Sequence, residues 1–143
     1  MWTLSAFADE IDDDLDVQLD SLAAEEIRHL DLRGVWGKNV LALDDAEVDR
    51  VRAVLANGGV RVAAIGSPIG KIGIEDDFAP HLVSFQRALE IARALDAPVI
   101  RIFSFFIPEG DDPARHRSAV LRRLEALVQA ASGSGVLLVH ENE

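Results

Sequence analysis

The residues of this chain that could do chemistry stand within or just after apolar runs. Leu30-Asp31-Leu32-Arg33, Ile100-Arg101-Ile102-Phe103 and Leu138-Val139-His140-Glu141 each thread charged groups through aliphatic ones. In a strand, successive side chains point to opposite faces. If Leu30 and Leu32 face outward, Asp31 and Arg33 share the inner face. If Ile100 and Ile102 face outward, Arg101 and Phe103 point in. At the end of the chain, Leu138 and His140 share one face, and Val139, Glu141 and Glu143 the other. Buried charges are costly unless paired or ligated. Asp31, Arg33, Arg101 and Glu141 therefore read either as an ion network plugging a barrel or as a polar site. Their place at or near the C-terminal strand ends favours the site.

Two further runs carry candidate chemistry. Gly66-Ser67-Pro68-Ile69-Gly70-Lys71 permits a tight turn and close backbone approach, and Lys71 is either a neutraliser of an anionic ligand oxygen or a solvated loop lysine. The only other lysine, Lys38, also follows a strand end. The run His140-Glu141-Asn142-Glu143 offers oxygen and imidazole donors that suit Mg²⁺, Mn²⁺ or Zn²⁺, or is a polar tail. His29, His81 and His116 read as bland, the last two as surface residues of helices. Asp12, Asp13 and Asp14 read as helix capping rather than a metal site.

The elements that must position these groups repeat. Strands are expected at Trp2–Ala8, His29–Arg33, Val60–Gly66, Val99–Phe105 and Val136–Glu141, with starts 27, 31, 39 and 37 residues apart. Between them lie four amphipathic patterns with helical period. The first follows the Asp12–Asp14 cluster, and its apolar face reads Leu15, Leu19, Leu22, Ala23 and Ile27. The second opens on Asp44-Asp45-Ala46-Glu47, a capping-box variant, buries Val48, Val51 and Leu55, and stops at Asn57-Gly58-Gly59. The third starts near Asp77 and aligns Phe78, Leu82, Phe85, Leu89 and Ala92. The fourth starts at Asp112-Pro113, a cap followed by proline, and aligns Val120, Leu124, Leu127 and Ala131. Strands alternating with helices imply a parallel sheet. The fold class is α/β, either an open doubly wound sheet or part of a (β/α)8 barrel. Phe7-Ala8-Asp9-Glu10 stands where a dinucleotide-binding fold places its Gly-rich turn, and polar residues gather after every strand, as on the active face of a barrel. A complete barrel takes about 250 residues, at least about 200. These 143 residues read as a single partial domain, four βα units and a fifth strand.

Composition bounds the partners. With 14 Lys+Arg against 25 Asp+Glu, the net charge is −11, which opposes nucleic acid and anionic membranes. The chain has no cysteine, so disulfides, thiolate metal sites and cysteine nucleophiles are excluded. Hydrophobic content of 49% with 27% charged residues is globular. Without a membrane span or the basic opening of a signal peptide, a cytoplasmic location is expected.

Phe7-Ala8-Asp9-Glu10-Ile11, the run from Leu32 to Val40, Ser67-Pro68-Ile69-Gly70-Lys71, the run from Arg101 to Phe105 and His140-Glu141-Asn142-Glu143 occur in this order over the whole chain. The ordered set resembles the xylose isomerase-like TIM-barrel family, the bacterial sugar phosphate isomerase/epimerase proteins. The resemblance implies a divalent metal (Mn, Mg, Co or Zn) at the barrel mouth. Glu141 matches the family's first ligand and a possible acid/base. Arg33, Trp36 and Lys71 would border the substrate pocket, with Arg101 nearby. Asp31 stands where the family commonly has Glu. The other ligands belong to the half of the family's barrel with no counterpart here, so this chain is expected to be inactive alone and to lack most of the metal's ligands. The activity implied is metal-assisted proton transfer beside a ketose carbonyl, through an enediolate, on a small sugar or sugar phosphate. The alternatives are a non-catalytic half-barrel binding or assembly module and an endonuclease IV-type nuclease, which the charge opposes. Open sheet edges predict a homodimer or higher homo-oligomer.

Overall fold

The computed structural model describes residues 2–142, so Glu143 lies outside the described residues. Its main sheet has four parallel strands in chain order, β1 (His29–Leu32), β4 (Arg61–Gly66), β5 (Val99–Ile102) and β6 (Leu137–His140). The remaining pair, β2 (Gly34–Val35) and β3 (Lys38–Asn39), forms a small antiparallel hairpin. Four helices alternate with the sheet strands: α1 (Leu15–Ala24), α2 (Asp45–Gly58), α3 (Phe78–Ala94) and α4 (Pro113–Ala131). This is the α/β half of a TIM barrel anticipated from the strand–helix repeat.

Local chemistry sets the helix starts. Asp14 caps α1 by accepting from the amides of Asp16 and Val17, so the acid cluster does serve as a cap. Asp44 and Glu47 form a reciprocal capping box on α2, and Gly59 ends that helix in the left-handed region at φ 64°. Asp77 caps α3. Asp112, followed by Pro113, caps α4. A cap satisfies amides that the first turn leaves without partners, each such cap being worth about 1 kcal/mol.

The core lies between the helices and one face of the sheet. Leu30, Leu32, Val62, Ile65, Ile100 and Ile102 from the strands join Leu19, Leu22, Val51, Leu55, Phe85, Leu89 and Leu127 from the helices in one buried cluster. Strand alternation thus leaves Asp31, Arg33 and Arg101 on the other face, as expected. Arg87 adds a polar tie between helices, donating to Leu43 O at 2.8 Å and to Asp45 Oδ1 at 2.7 Å.

Two expectations need correction, and one hairpin goes beyond them. Trp2–Ala8 is not a continuous strand: it touches the sheet at one bridge, Ala6 to Leu30, reinforced by the Asp31 amide donating to Ala6 O at 2.9 Å. Trp2 is 95% and Leu4 66% exposed, so their side chains supply little burial to hold more of the segment against β1. The expected strand to Phe105 stops at Ile102, because the chain turns to bond with the loop after β4. Phe103, Phe105 and Phe106 amides donate to Ile69, Gly70 and Ile72 carbonyls at 2.7, 2.9 and 2.8 Å. Finally, Trp36 and Gly37 form the turn of the β2–β3 hairpin with φ of 53° and 70°. Positive φ at both central positions is the turn geometry that matches strand twist. It is strained for tryptophan, and is held by the Trp36 amide donating to Asp13 O at 2.5 Å.

Gly70 is where the two loops meet. Its φ is 95°, and a Cβ there would sit 2.1 Å from Phe103 O. Gly59 also has positive φ, but a Cβ there would meet open space. Gly70→Ala is therefore expected to destabilise the fold by about 3 kcal/mol or more, through backbone strain and collision together. Gly59→Ala should cost about 1 kcal/mol. Urea unfolding of the two variants checks the contrast.

Candidate functional site

The candidate site is built on two aromatic rings at the C-terminal ends of the strands. The Phe7 ring, one residue beyond the Ala6 bridge, lies under two guanidiniums, Arg33 at 5.1 Å and Arg101 at 5.2 Å. The Phe103 ring lies under Arg101 at 4.6 Å and under the Lys71 ammonium at 4.2 Å. Cations over ring faces are attracted by the ring quadrupole. The array runs Arg33, Phe7, Arg101, Phe103, Lys71, and joins the first segment, β1, the loop after β4, and β5.

Arg33 and Arg101 are held by more than their rings. Arg33 Nε donates to Asp9 Oδ2 at 2.7 Å and its Nη2 to Glu10 Oε1 at 3.1 Å. The hydrogen bond to Asp9 is the chief reason the Arg33 guanidinium is more basic than usual, against a smaller opposing effect of burial. Arg101 and Ser67 clasp each other. The Ser67 hydroxyl donates to Arg101 O at 2.5 Å, and Arg101 Nη2 donates to Ser67 O at 3.2 Å. Arg101 Nη1 reaches Glu141 Oε2 at 3.1 Å, which brings the end of β6 to the same place. Asp31, on the same face of β1 as Arg33, accepts from the Ser5 hydroxyl at 2.7 Å. Glycine at 66 makes room: a Cβ there would sit 2.8 Å from the Phe7 ring and 3.0 Å from Arg33 Cβ.

Four of the five residues expected at the site, Arg33, Lys71, Arg101 and Glu141, are linked through this array. Trp36 is not joined to it by the contacts described. It sits at the hairpin turn with the Arg50 guanidinium 4.2 Å over its ring. Lys38, from the same hairpin, pairs with Glu47 of α2 at 2.5 Å. Phe7 and Asp9 were not singled out by residue type. The signal that could have found them is alternation, since Ser5, Phe7 and Asp9 alternate with Ala6 and the buried Ala8.

Two histidines read as surface residues are not. His116 is largely buried and bonds Asp111 Oδ2 through Nε2 at 2.8 Å. His81 is half-buried, and its Nε2 accepts the Gly70 amide at 2.8 Å. Burial first, and the nearby Arg123 cation second, push the His81 imidazole below its ordinary pKa. Both histidines are drawn in by a polar partner at an adjacent loop, which helix periodicity does not register.

A metal centre is not assembled by these residues. Among the described residues, no group of three or more His, Asp or Glu side chains could hold an ion. Glu141, the expected ligand, has one oxygen engaged by Arg101. It supplies one carboxylate rather than a ligand set.

The fold accords with the comparisons. The model of the xylose isomerase-like TIM-barrel family matches residues 7–143. The chain belongs to that family. Among solved structures, a D-tagatose 3-epimerase-like protein superposes with a TM-score of 0.74 at 14% identity, over 99% of this chain and 53% of that one. A sugar phosphate isomerase/epimerase from Parabacteroides distasonis gives 0.68 at 14% identity, over 96% and 50%. A xylose isomerase-like TIM-barrel protein from Mycobacterium smegmatis in complex with magnesium gives 0.66 at 21% identity, over 87% and 45%. At these identities the likeness is one of fold. This family member spans about half the length of the solved structures it matches. No curated protein matches the sequence. Among the described residues, no helix is long and apolar enough to cross a membrane.

The Arg33–Asp9 pair gives a direct test of what holds the array. The Asp9 side chain is 14% exposed, so removing its cation leaves a poorly solvated carboxylate. Arg33→Met is expected to cost about 2 kcal/mol in urea unfolding, discounted from the fully buried case because Arg33 itself is partly exposed. Asp9→Asn in the same chain should recover part of that loss, a coupling that a double-mutant cycle measures.

Proposed function

We propose that this chain carries one wall of a sugar or sugar phosphate isomerase/epimerase site, acting on a proton beside a ketose carbonyl. The observation that carries the reading is the convergence of Arg33, Arg101, Lys71 and Glu141 on the Phe7 and Phe103 rings at the C-terminal strand ends. In barrels of this kind that end is the active face. Family membership and fold neighbours named as sugar epimerases and isomerases support it.

The chemistry asked of these residues is positioning and charge complementarity. Arg101 and Lys71 would face the oxygens on which negative charge develops as the proton leaves. Arg33 would border the pocket from the first strands, with Trp36 at its rim. Glu141 would hold or move a proton, its ionised form being supported by Arg101. A divalent ion (Mg, Mn, Co or Zn), when bound in a complete site of the family, supplies Lewis-acid stabilisation of the enediolate. Here Glu141 would be one ligand among groups that the described residues do not provide, and no step is assigned to the ion. The chain alone is accordingly inactive, and the cytoplasm is the compartment proposed for it.

A second reading, a half-barrel that binds or assembles without turnover, is favoured by the open sheet. Among the described strands, β6 has a neighbour on one side only. Leu137 is 62% and Val139 37% exposed on the face opposite the helices. Unpaired edges and exposed apolar faces attract a partner. We infer self-association, with a second copy covering that face. Light scattering coupled to size exclusion at micromolar concentration should give a mass near twice the 15.5 kDa of one chain. A stable, well-folded monomer overturns this.

Two measurements test the site. Titration of ketoses and ketose phosphates, followed by NMR of the Arg101 and Lys71 side chains, is expected to show binding, weakened at least about 10-fold by Arg101→Ala. The loss corresponds to about 1.4 kcal/mol, ordinary for a hydrogen bond from a charged group. Incubation of the same sugars with Mg²⁺, Mn²⁺ or Co²⁺ should give no turnover. Turnover abolished by Glu141→Ala would show that the chain is a complete catalyst. Absence of any sugar binding would remove the substrate class.

A further inference from the structure

The bond between His81 and Gly70 is the feature the proposed function leaves unused. Gly70 is buried, and its carbonyl and that of Ile69 are taken up by the loop after β5, as described above. Its own amide points the other way, into α3, where His81 Nε2 accepts it at 2.8 Å. A buried amide left without an acceptor costs about 1–3 kcal/mol. The imidazole accepts at Nε2 only when that nitrogen carries no proton, so the bond requires neutral His81 protonated at Nδ1. The imidazolium would set one N–H donor against another.

The surroundings hold the ring in this role. Phe78 of α3 and Phe105 of the loop after β5 flank it, with ring centroids at 6.2 and 6.4 Å. The Arg123 guanidinium of α4 lies 5.1 and 5.2 Å over those same two rings. It also donates to Gly73 O at 3.1 Å and Asp76 O at 2.5 Å, farther along the loop that carries Gly70. The nearby carboxylates are already engaged, Asp76 by the Gly73 amide and Asp77 by the Ala79 amide. Lys71, next to Gly70, is the other cation of this junction. The groups around His81 thus present cations and aromatic rings rather than a carboxylate committed to an imidazolium.

We propose that neutral His81 is the positioning residue of the candidate site: by accepting the Gly70 amide it fixes the strap that carries Lys71 onto the Phe103 ring, so that the cation arm is set only while the imidazole is uncharged. His81 does not touch the array itself. It acts through the backbone next to Lys71, and Gly70 transmits the constraint because its close approach to Phe103 O leaves no slack for a side chain. The lowered basicity of His81 agrees in sign. Because the folded protein holds a proton less readily than the unfolded chain, this contribution to stability is complete above the ordinary imidazole value of about 6.5 and is lost as pH falls through the lower, folded value. The purpose of the arm rests on the proposed sugar site, but the positioning is measured without any sugar, so either can fail alone.

The experiment is NMR of the full chain labelled with ¹⁵N and ¹³C, titrated downward from pH 7.5. At the start, a coupling across the N–H···N bond should connect the Gly70 amide to His81 Nε2, and the Lys71 ε-protons should be displaced upfield by the Phe103 ring. As His81 gains its proton, below pH 6.5, both signatures should vanish together while amides of α1 and β1 stay in place. In His81→Gln, whose side-chain oxygen can accept the same amide, the Lys71 displacement should persist and lose its pH dependence. In His81→Leu it should be reduced at every pH. Lys71 displacement that survives His81 protonation overturns the proposal. So does a missing coupling, or collapse of the whole spectrum at the same pH, since that marks a purely structural histidine.

Discussion

The Arg101 guanidinium is the contact on which the C-terminal end of this sheet depends. It leans on the Phe7 ring from the first segment and the Phe103 ring beyond its own strand, clasps Ser67 at the end of β4, and reaches Glu141 at the end of β6. Parallel strands bond along their lengths, but their ends are free to splay, because the loops leave in different directions. One planar, multi-donor cation can tie several such ends at once, which an ammonium cannot do with the same geometry. The aromatic rings matter for the same reason: they give the cation a face to rest on where the strand backbones have stopped.

A second constraint is the one-sidedness of the sheet. All the large aliphatic strand residues of the core face the helices, and the opposite face carries Asp31, Arg33, Arg101 and smaller or half-exposed groups. That division makes the strand polarity legible at the level of alternate residues. It also means that the charged face is stabilised by pairing rather than by burial. Asp9 with Arg33, Ser5 with Asp31, and Glu141 with Arg101 are the pairs that do it.

Features fixed by neighbours in sequence were readable from sequence. The four caps, the capping box of Asp44 and Glu47, and the inward side of β1 and β5 depend on spacing of one to four residues, and each is found where spacing placed it. Features fixed by distant partners were not. Trp2–Ala8 has the alternation of a strand but bonds at Ala6 alone. Trp36 takes a backbone conformation that tryptophan rarely adopts, and the tie that keeps it there is the carbonyl of Asp13. His81 looks like any exposed helix residue until the Gly70 amide is placed against it. The array itself was half visible: its charges announced themselves by interrupting apolar runs and alternation put Phe103 beside Arg101, whereas the part played by the Phe7 ring depends on partners distant in sequence.

The order of the main sheet follows the order of the chain: β1, β4, β5, β6, with each helix packed against the one before it. Each strand and helix therefore finds its docking surface already made by residues that precede it. A chain emerging from the ribosome can lay down the sheet one strand at a time, each new strand pairing with the one before it. The loops do not share that order: the loop after β4 has its carbonyls taken up only by Phe103, Phe105 and Phe106 beyond β5, and Arg101 gains Glu141 only with β6.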